Sequence, residues 1–196
     1  SDDVVGAVPG YLEYLVVGGG GSGHGGGPAG NDGQGGGGGA GGLRTNVPGV
    51  TNAAGTSLVN AAVTGVKGTF PVTVGAGGAG GYPGNPGGNS TLALPSSIVA
   101  TGGGRAGAYV DGSNPEAVGQ PGGSGGGAGN VNPGQPAGTG NAGSFPVPEG
   151  NPGGIAPGYS PFYFGGGGGG AGAAGKPGPT VATGGNGVPT TKTGWD

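Results

Sequence analysis

Residues 14–42 read YLVVGGGGSGHGGGPAGNDGQGGGGGAGG, an apolar tetrapeptide running into a long glycine tract. Stepping by three from Gly18 gives Gly21, His24, Gly27, Gly30, Gly33, Gly36, Gly39 and Gly42, broken only at His24. A second frame, Gly20, Gly23, Gly26, Ala29, Asp32, Gly35, Gly38 and Gly41, is broken only at Ala29 and Asp32. The third carries Ser22, Pro28, Asn31, Gln34 and Ala40. Period three is that of the polyproline II or polyglycine II helix, which rises about 3.1 Å per residue and makes no internal hydrogen bonds. One glycine frame gives such a rod one bare face, and two frames give two. Since buried N–H and C=O groups need partners, rods of this kind must bond to one another. Cα–H···O contacts add to this cohesion.

The frame recurs along the chain. Gly75, Gly78, Gly81, Gly84 and Gly87 are in step, as are Gly123, Gly126 and Gly129, and Gly166, Gly169, Gly172, Gly175 and Gly178. The glycines expected to pack the rods are Gly18, Gly21, Gly36, Gly39, Gly75, Gly78, Gly81, Gly166, Gly169 and Gly172. Rods are expected at 18–27, 33–42, 75–81, 102–107, 119–129 and 165–175. Collagen, which needs glycine at every third residue without interruption, is excluded by the breaks at 43–74 and 89–101.

Short apolar stretches lead into three rods: Tyr11–Val17, Thr69–Val74 and Ser97–Thr101. Each is β-branched or aromatic and ends at glycine, which reads as a strand entering a rod. The expected fold is therefore a polyglycine II (PGII) helix bundle or sandwich with short β-strands, long loops and almost no α-helix. It divides into an N-terminal connector and entry strand at 1–17, the bundle at 18–187, and a C-terminal tail at 188–196. Alternating rod directions put the connections 28–32, 82–101 and 130–164 at one end, the tip, and 43–74 and 108–118 at the other. Residues 43–74, with Leu58, Val59, Val63, Val66, Phe70, Val72 and Val74, read as an apolar base.

Composition sets the physical problem. Glycine supplies 64 of 196 residues and proline 19, so fixing the backbone costs entropy at the top of the usual range, about 1–2 kcal/mol per residue. Too few aliphatic residues are present for an ordinary core, yet with Lys+Arg 5, Asp+Glu 8 and a net charge of −3 the charge that keeps disordered chains solvated is also missing. The scarcity of basic residues makes nucleic acid a poor partner. No cysteine is present for disulfides or thiolate metal sites, no leader is visible at Ser1-Asp2-Asp3, and no apolar run suits membrane insertion.

Three motifs resemble catalytic or cofactor signatures, and each fails on context. Gly18-x-Gly20-x-x-Gly23 follows a strand, but glycine continues where a dinucleotide fold needs an α-helix. Gly170–Lys176 matches a P-loop until Pro177 stands where Ser or Thr should hold Mg²⁺. His24 is the only histidine, without the nucleophile and acid of a triad or the companions of a metal site, and is expected to project into solvent or a loop. No catalytic residue, cofactor or metal is expected. The tract Tyr159-Ser160-Pro161-Phe162-Tyr163-Phe164 packs four aromatics into six residues, as a plug or an exposed contact surface.

Tyr14–Val17 before its glycine tract, Gly35–Gly42 as GGGGGAGG, Val72–Gly80, Val99–Gly104, and Phe164 before GGGGGGAGAAG together resemble the glycine-rich domains of bacteriophage tail-fibre proteins. The order of these motifs over 11–187 is similar to the distal adhesins of T-even-like long tail fibres. That resemblance implies layered polyglycine II helices on a virion, extracellular, with variable tip loops contacting an outer-membrane protein or glycan of the host. It also implies other tail-fibre or virion proteins as partners, and the chain as a monomer or a homotrimer. Expected receptor-binding residues are Tyr82, Asn85, Phe145, Tyr159, Phe162, Tyr163 and Phe164. The alternatives are a structural spacer or cap without receptor contact, and an ice-binding protein.

Overall fold

The computed structural model describes residues 10–24, 35–109, 115–130, 134–158, 164–178 and 182–189. These contain no α-helix, only a 3-10 turn, η1, at Pro115–Ala117. Short antiparallel strands form two open sheets. In the first, β1 (Leu15–Val17) pairs with β2 (Leu43–Thr45), Val16 opposite Arg44. In the second, β4 (Ser90–Leu92) lies between β3 (Val72–Thr73) and β5 (Ile98–Ala100).

Most of the remaining chain is glycine-rich, extended, and bonded between segments. Gly18, Gly21 and His24 donate their N–H groups to Gly42, Gly39 and Gly36, while Gly19 and Ser22 donate to Gly88 and Asn85. Gly36, Gly39 and Gly42 donate to Gly107, Gly104 and Thr101; Gly37 and Ala40 donate to Gly166 and Gly169. Each donor direction thus returns every third residue. Three layers follow from these bonds. The first holds 75–81, 18–24, 35–42 and 164–171; the second holds 85–89, 102–108, 124–130 and 150–156; the third holds 117–121 and 134–140. Segments 172–178 and 182–187 close one side through Gly167 N to Lys176 O and Lys176 N to Thr183 O.

Segment 124–130 is the centre. Ser124 and Gly127 donate to Ala40 and Gly37, Gly125 and Ala128 to Asn151 and Gly154, and Gly126 and Gly129 to Gln120 and Ala117. Its carbonyls accept from Gly104, Gly107, Gly138, Gly166 and Gly169. Residues 122–130 are all buried. Glycine is needed here for close approach: a Cβ on Gly127 would fall on the carbonyl oxygen of Gly166, and one on Gly36 on that of Gly127. The same holds at Gly18, Gly21, Gly39, Gly75, Gly78, Gly166, Gly169 and Gly172, each of which faces a neighbour's carbonyl; Gly81 is looser, 3.2 Å from the Pro83 oxygen.

At one end, the base, side chains replace bare backbone and the segments become strands. Tyr14, Leu94 and Ile98 form one cluster with Leu12, Val16, Val63, Val66, Phe70 and Leu92 around them. Leu43, Val50 and Leu58 form another, covered by Val47, Val59, Val147, Ala171 and Val188. Buried polar groups tie it together. The Thr45 hydroxyl donates to Tyr14 O at 2.8 Å, and Asn46 accepts from Tyr14 N at 2.9 Å and donates to Leu12 O at 2.7 Å. Glu149, 1 % exposed, accepts from Thr101 N at 2.9 Å and Gly143 N at 3.2 Å. Its carbonyl accepts from Leu43 N at 2.8 Å.

Strands β1, β3 and β5 lie within the stretches expected from sequence, whereas β2 and β4 lie outside them, and the rod count and the sharing of loops between ends also differ. Residues 119–129 are not one rod: 117–121 and 124–130 run antiparallel across a turn at 122–124. Residues 165–175 likewise reverse near 171–173, where Gly170 N donates to Ala173 O. Within the expected tip loops, 85–89, 134–140 and 150–156 are further bundle segments. The β4–β5 hairpin and 141–149 sit at the base, whereas 108–109 and 115–118 lie at the far end. These segments hold fewer glycines because they lie towards the edge. Gly138 and Gly153 face Gln120 and Gly126 carbonyls, while Pro136, Pro152 and Ile155 point outward, exposed.

Three substitutions test these contacts. Gly127→Ala should destabilise by about 3 kcal/mol or more, or prevent folding, since the backbone of 166–167 occupies the place of the methyl. Gly80→Ala, where a Cβ meets nothing within 4 Å, should be neutral or gain up to ~1 kcal/mol through the unfolded chain. Equal effects in chemical denaturation would contradict the packing described. Glu149→Ala, which strips the Thr101 and Gly143 N–H groups of their carboxylate acceptor, should cost about 1–3 kcal/mol in the same assay.

Candidate functional site

The end opposite the base gathers the ends of many segments. His24 ends 18–24, and Gly35 begins the antiparallel neighbour, with His24 N donating to Gly36 O at 3.2 Å. The turn from 75–81 into 85–89 passes through Tyr82, whose hydroxyl donates to Tyr109 O at 2.8 Å. Tyr109 packs against Ala117 of η1. Asn130 and Gly134, Gly158 and Phe164, and Gly178 complete this end by the directions of their segments.

Its chemistry is aromatic with a few polar groups. Tyr82 and Phe164 are 48 % and 44 % exposed. The His24 and Tyr82 rings meet edge to face at 5.1 Å and 66°. Arg105 donates from Nη1 to Ala106 O at 3.0 Å and Glu116 O at 3.4 Å, pinning the guanidinium side chain across segments. Asn130 is fully buried, and neither Oδ1 nor Nδ2 has a hydrogen-bond partner. Such orphaned groups are rare in folded proteins and mark a place where structure alone does not satisfy the chemistry. An open groove of about 360 Å³ runs between 35–38, 164–168 and 182–184, floored by bare glycine backbone with Phe164 at one edge.

The residues expected to contact a receptor are only partly brought together. Tyr82 and Phe164 share the far end. Asn85 lies one step inside it, its side chain exposed, its N–H bonded to Ala79 O and its C=O accepting from Ser22 N, both at 3.0 Å. Phe145 lies at the base, where Arg44 stacks on its ring at 3.8 Å and donates to Asn60 Oδ1. Tyr159, Phe162 and Tyr163 lie outside the described residues, in the stretch joining Gly158 to Phe164. Tyr109 and Glu116 were expected at the other end, within 108–118; a correct count of segments would have placed them here.

The cofactor-like motifs are engaged in packing. In the stretch matching a P-loop, Gly170, Gly172, Gly175 and Lys176 all donate their N–H groups to other backbone carbonyls, so they do not form a phosphate cradle. Gly18, Gly19, Gly21 and Ser22 do the same in the dinucleotide-like stretch. Among the described residues, no group of His, Cys, Asp and Glu is placed to hold a metal ion, and no helix is long and apolar enough to cross a membrane.

No curated protein and no solved structure matches the chain. A family model described as a glycine-rich domain matches residues 4–196. With nearly its whole length covered, the chain belongs to this glycine-rich domain family.

Proposed function

We propose that this chain is the non-catalytic receptor-binding tip of a bacteriophage tail fibre. In this reading the glycine-rich segments are polyglycine II helices, and the far end meets a protein or glycan on the host surface. The observation that carries it is the polarity of the bundle. Tyr82, Tyr109 and Phe164 share one end, with the flanks of the 159–163 aromatic tract, while the apolar clusters containing Leu12 and Val188 occupy the other. Aromatic rings on a stiff frame give contact area at small entropic cost, which suits a binding surface. The three-residue rotation of hydrogen-bond donors supports the helix assignment, because a polyglycine II rod turns once in three residues. The ordered strand-plus-glycine motifs support the tail-fibre assignment, and membership of the glycine-rich family is consistent with it. Partners are then the host receptor and neighbouring fibre proteins on an extracellular virion.

The test is a titration of the purified chain onto intact candidate host bacteria, with two variants confirmed as folded. One replaces Tyr159, Phe162, Tyr163 and Phe164 by serine; the other replaces Val72 and Val74, exposed at the base, by serine. Saturable binding by the parent and the base variant, with at least about a tenfold loss in the aromatic variant, is expected if the aromatics are central contacts. Folded protein that binds no cell across a broad panel would favour a spacer or cap. Loss in the base variant alone would put the contact at the wrong end for this reading.

A further inference from the structure

His24 is held on several sides at the far end. A Cβ on Gly35 would fall against the His24 Cβ and Nδ1, so the ring lies directly on the backbone of 35–42. Tyr82 meets the ring edge-on from the 80–84 turn. Among the described residues, the charged groups facing it are Arg105 of 102–108 and Glu116 of η1. Both ring nitrogens are shielded from solvent, and neither has a hydrogen-bond partner. The same segment grips the turn in two other ways. Ser22 N donates to Asn85 O, and the Ser22 hydroxyl fills the space a Cβ on Gly84 would need.

We propose that His24 is a proton-operated latch: neutral, it holds the 80–84 turn against 18–24 and 35–42, and protonated it leaves this contact and frees the turn. The inference concerns the conformation of the far end and stands apart from what that end binds. The physical reason is the ring's surroundings. A neutral imidazole leaves one donor and one weak acceptor unsatisfied, whereas an imidazolium leaves two donors and a full charge without a partner beside the Arg105 guanidinium. Glu116 offsets part of this from η1. Burial first, and Arg105 second, hold the His24 pKa below the ordinary histidine value of 6.5, with Glu116 opposing. Because the latched state binds the proton less well than the open state, its stabilisation is fully present above pH 6.5. It is lost as the pH falls from there towards the lowered value.

The test is amide hydrogen exchange read by NMR at about pH 7.5 and about pH 5, corrected for intrinsic rates, so that histidine changes charge between the two conditions. The amides to follow are Ser22, His24 and Asn85, with Gly123, bonded to Gly102 O near the base, as reference. Protection at the first three should fall several-fold at the lower pH while Gly123 is unchanged. His24→Phe, which keeps the edge-to-face contact with Tyr82 without the titration, should abolish the difference. Unchanged protection in the parent, or the same loss in H24F, would overturn the latch. Should H24F fail to fold, titration of the parent's His24 ring protons decides: a midpoint at or above 6.5 removes the basis of the proposal.

Discussion

An extended backbone without side chains can satisfy its N–H and C=O groups only on another backbone or in water, and this constraint governs the molecule. Within segment 124–130 no donor bonds to a neighbour in sequence: successive N–H groups reach 35–42, 150–156 and 117–121 in turn. A β-strand sends its bonds to two neighbours in one plane, which makes a sheet. Here the three-residue rotation sends them around the axis and makes a solid bundle. The requirement for glycine then follows from distance. With carbonyl oxygens where a Cβ would be, any side chain on Gly36, Gly127 or Gly166 would push two backbones apart and break their hydrogen bonds.

The same constraint explains the ends. Where Val, Leu and Ile replace glycine, backbones separate, and cohesion passes to the base clusters and to side chain–backbone bonds from Thr45, Asn46 and Glu149. The base resembles ordinary protein chemistry on a small scale. The far end does not: its aromatic and polar groups are few and partly exposed, and Ser22, His24 and Asn130 keep buried polar atoms without partners. For the contact surface proposed at the far end a stiff interior is a suitable frame, since the scaffold loses little order on binding.

Much of this was legible in the sequence, because a period of three needs no tertiary information to detect. Gly18, Gly36, Gly75 and Gly166 each begin or lie in an observed segment. The strands at Leu15–Val17, Val72–Thr73 and Ile98–Ala100 stand where β-branched residues run into glycine. What stayed hidden were the segments with broken frames. In 150–156 only Gly150, Gly153 and Gly154 meet tight backbone, and Pro152 and Ile155 face outward, so the stretch looks like a loop when read alone. In 119–129 the reversal does leave a mark, Pro121-Gly122 ahead of Gly123, but a reading by period three passes over it. A missed segment flips the loops after it until a second one restores the count; Phe145 lies over Arg44 at the base because 134–140 and 150–156 run there and back inside the expected tip loop.

The central claim is that consecutive residues of one glycine segment bond to different neighbours. Scalar couplings across hydrogen bonds, measured from backbone amide nitrogen to acceptor carbonyl carbon, report this bond by bond. The account predicts couplings from Gly126 to Gln120, from Gly127 to Gly37 and from Ala128 to Gly154 in the same sample. Couplings from Gly126 and Ala128 to one partner segment, with Gly127 directed to the opposite side, would mean a sheet, and their absence in folded protein would mean that something other than these hydrogen bonds holds the glycines.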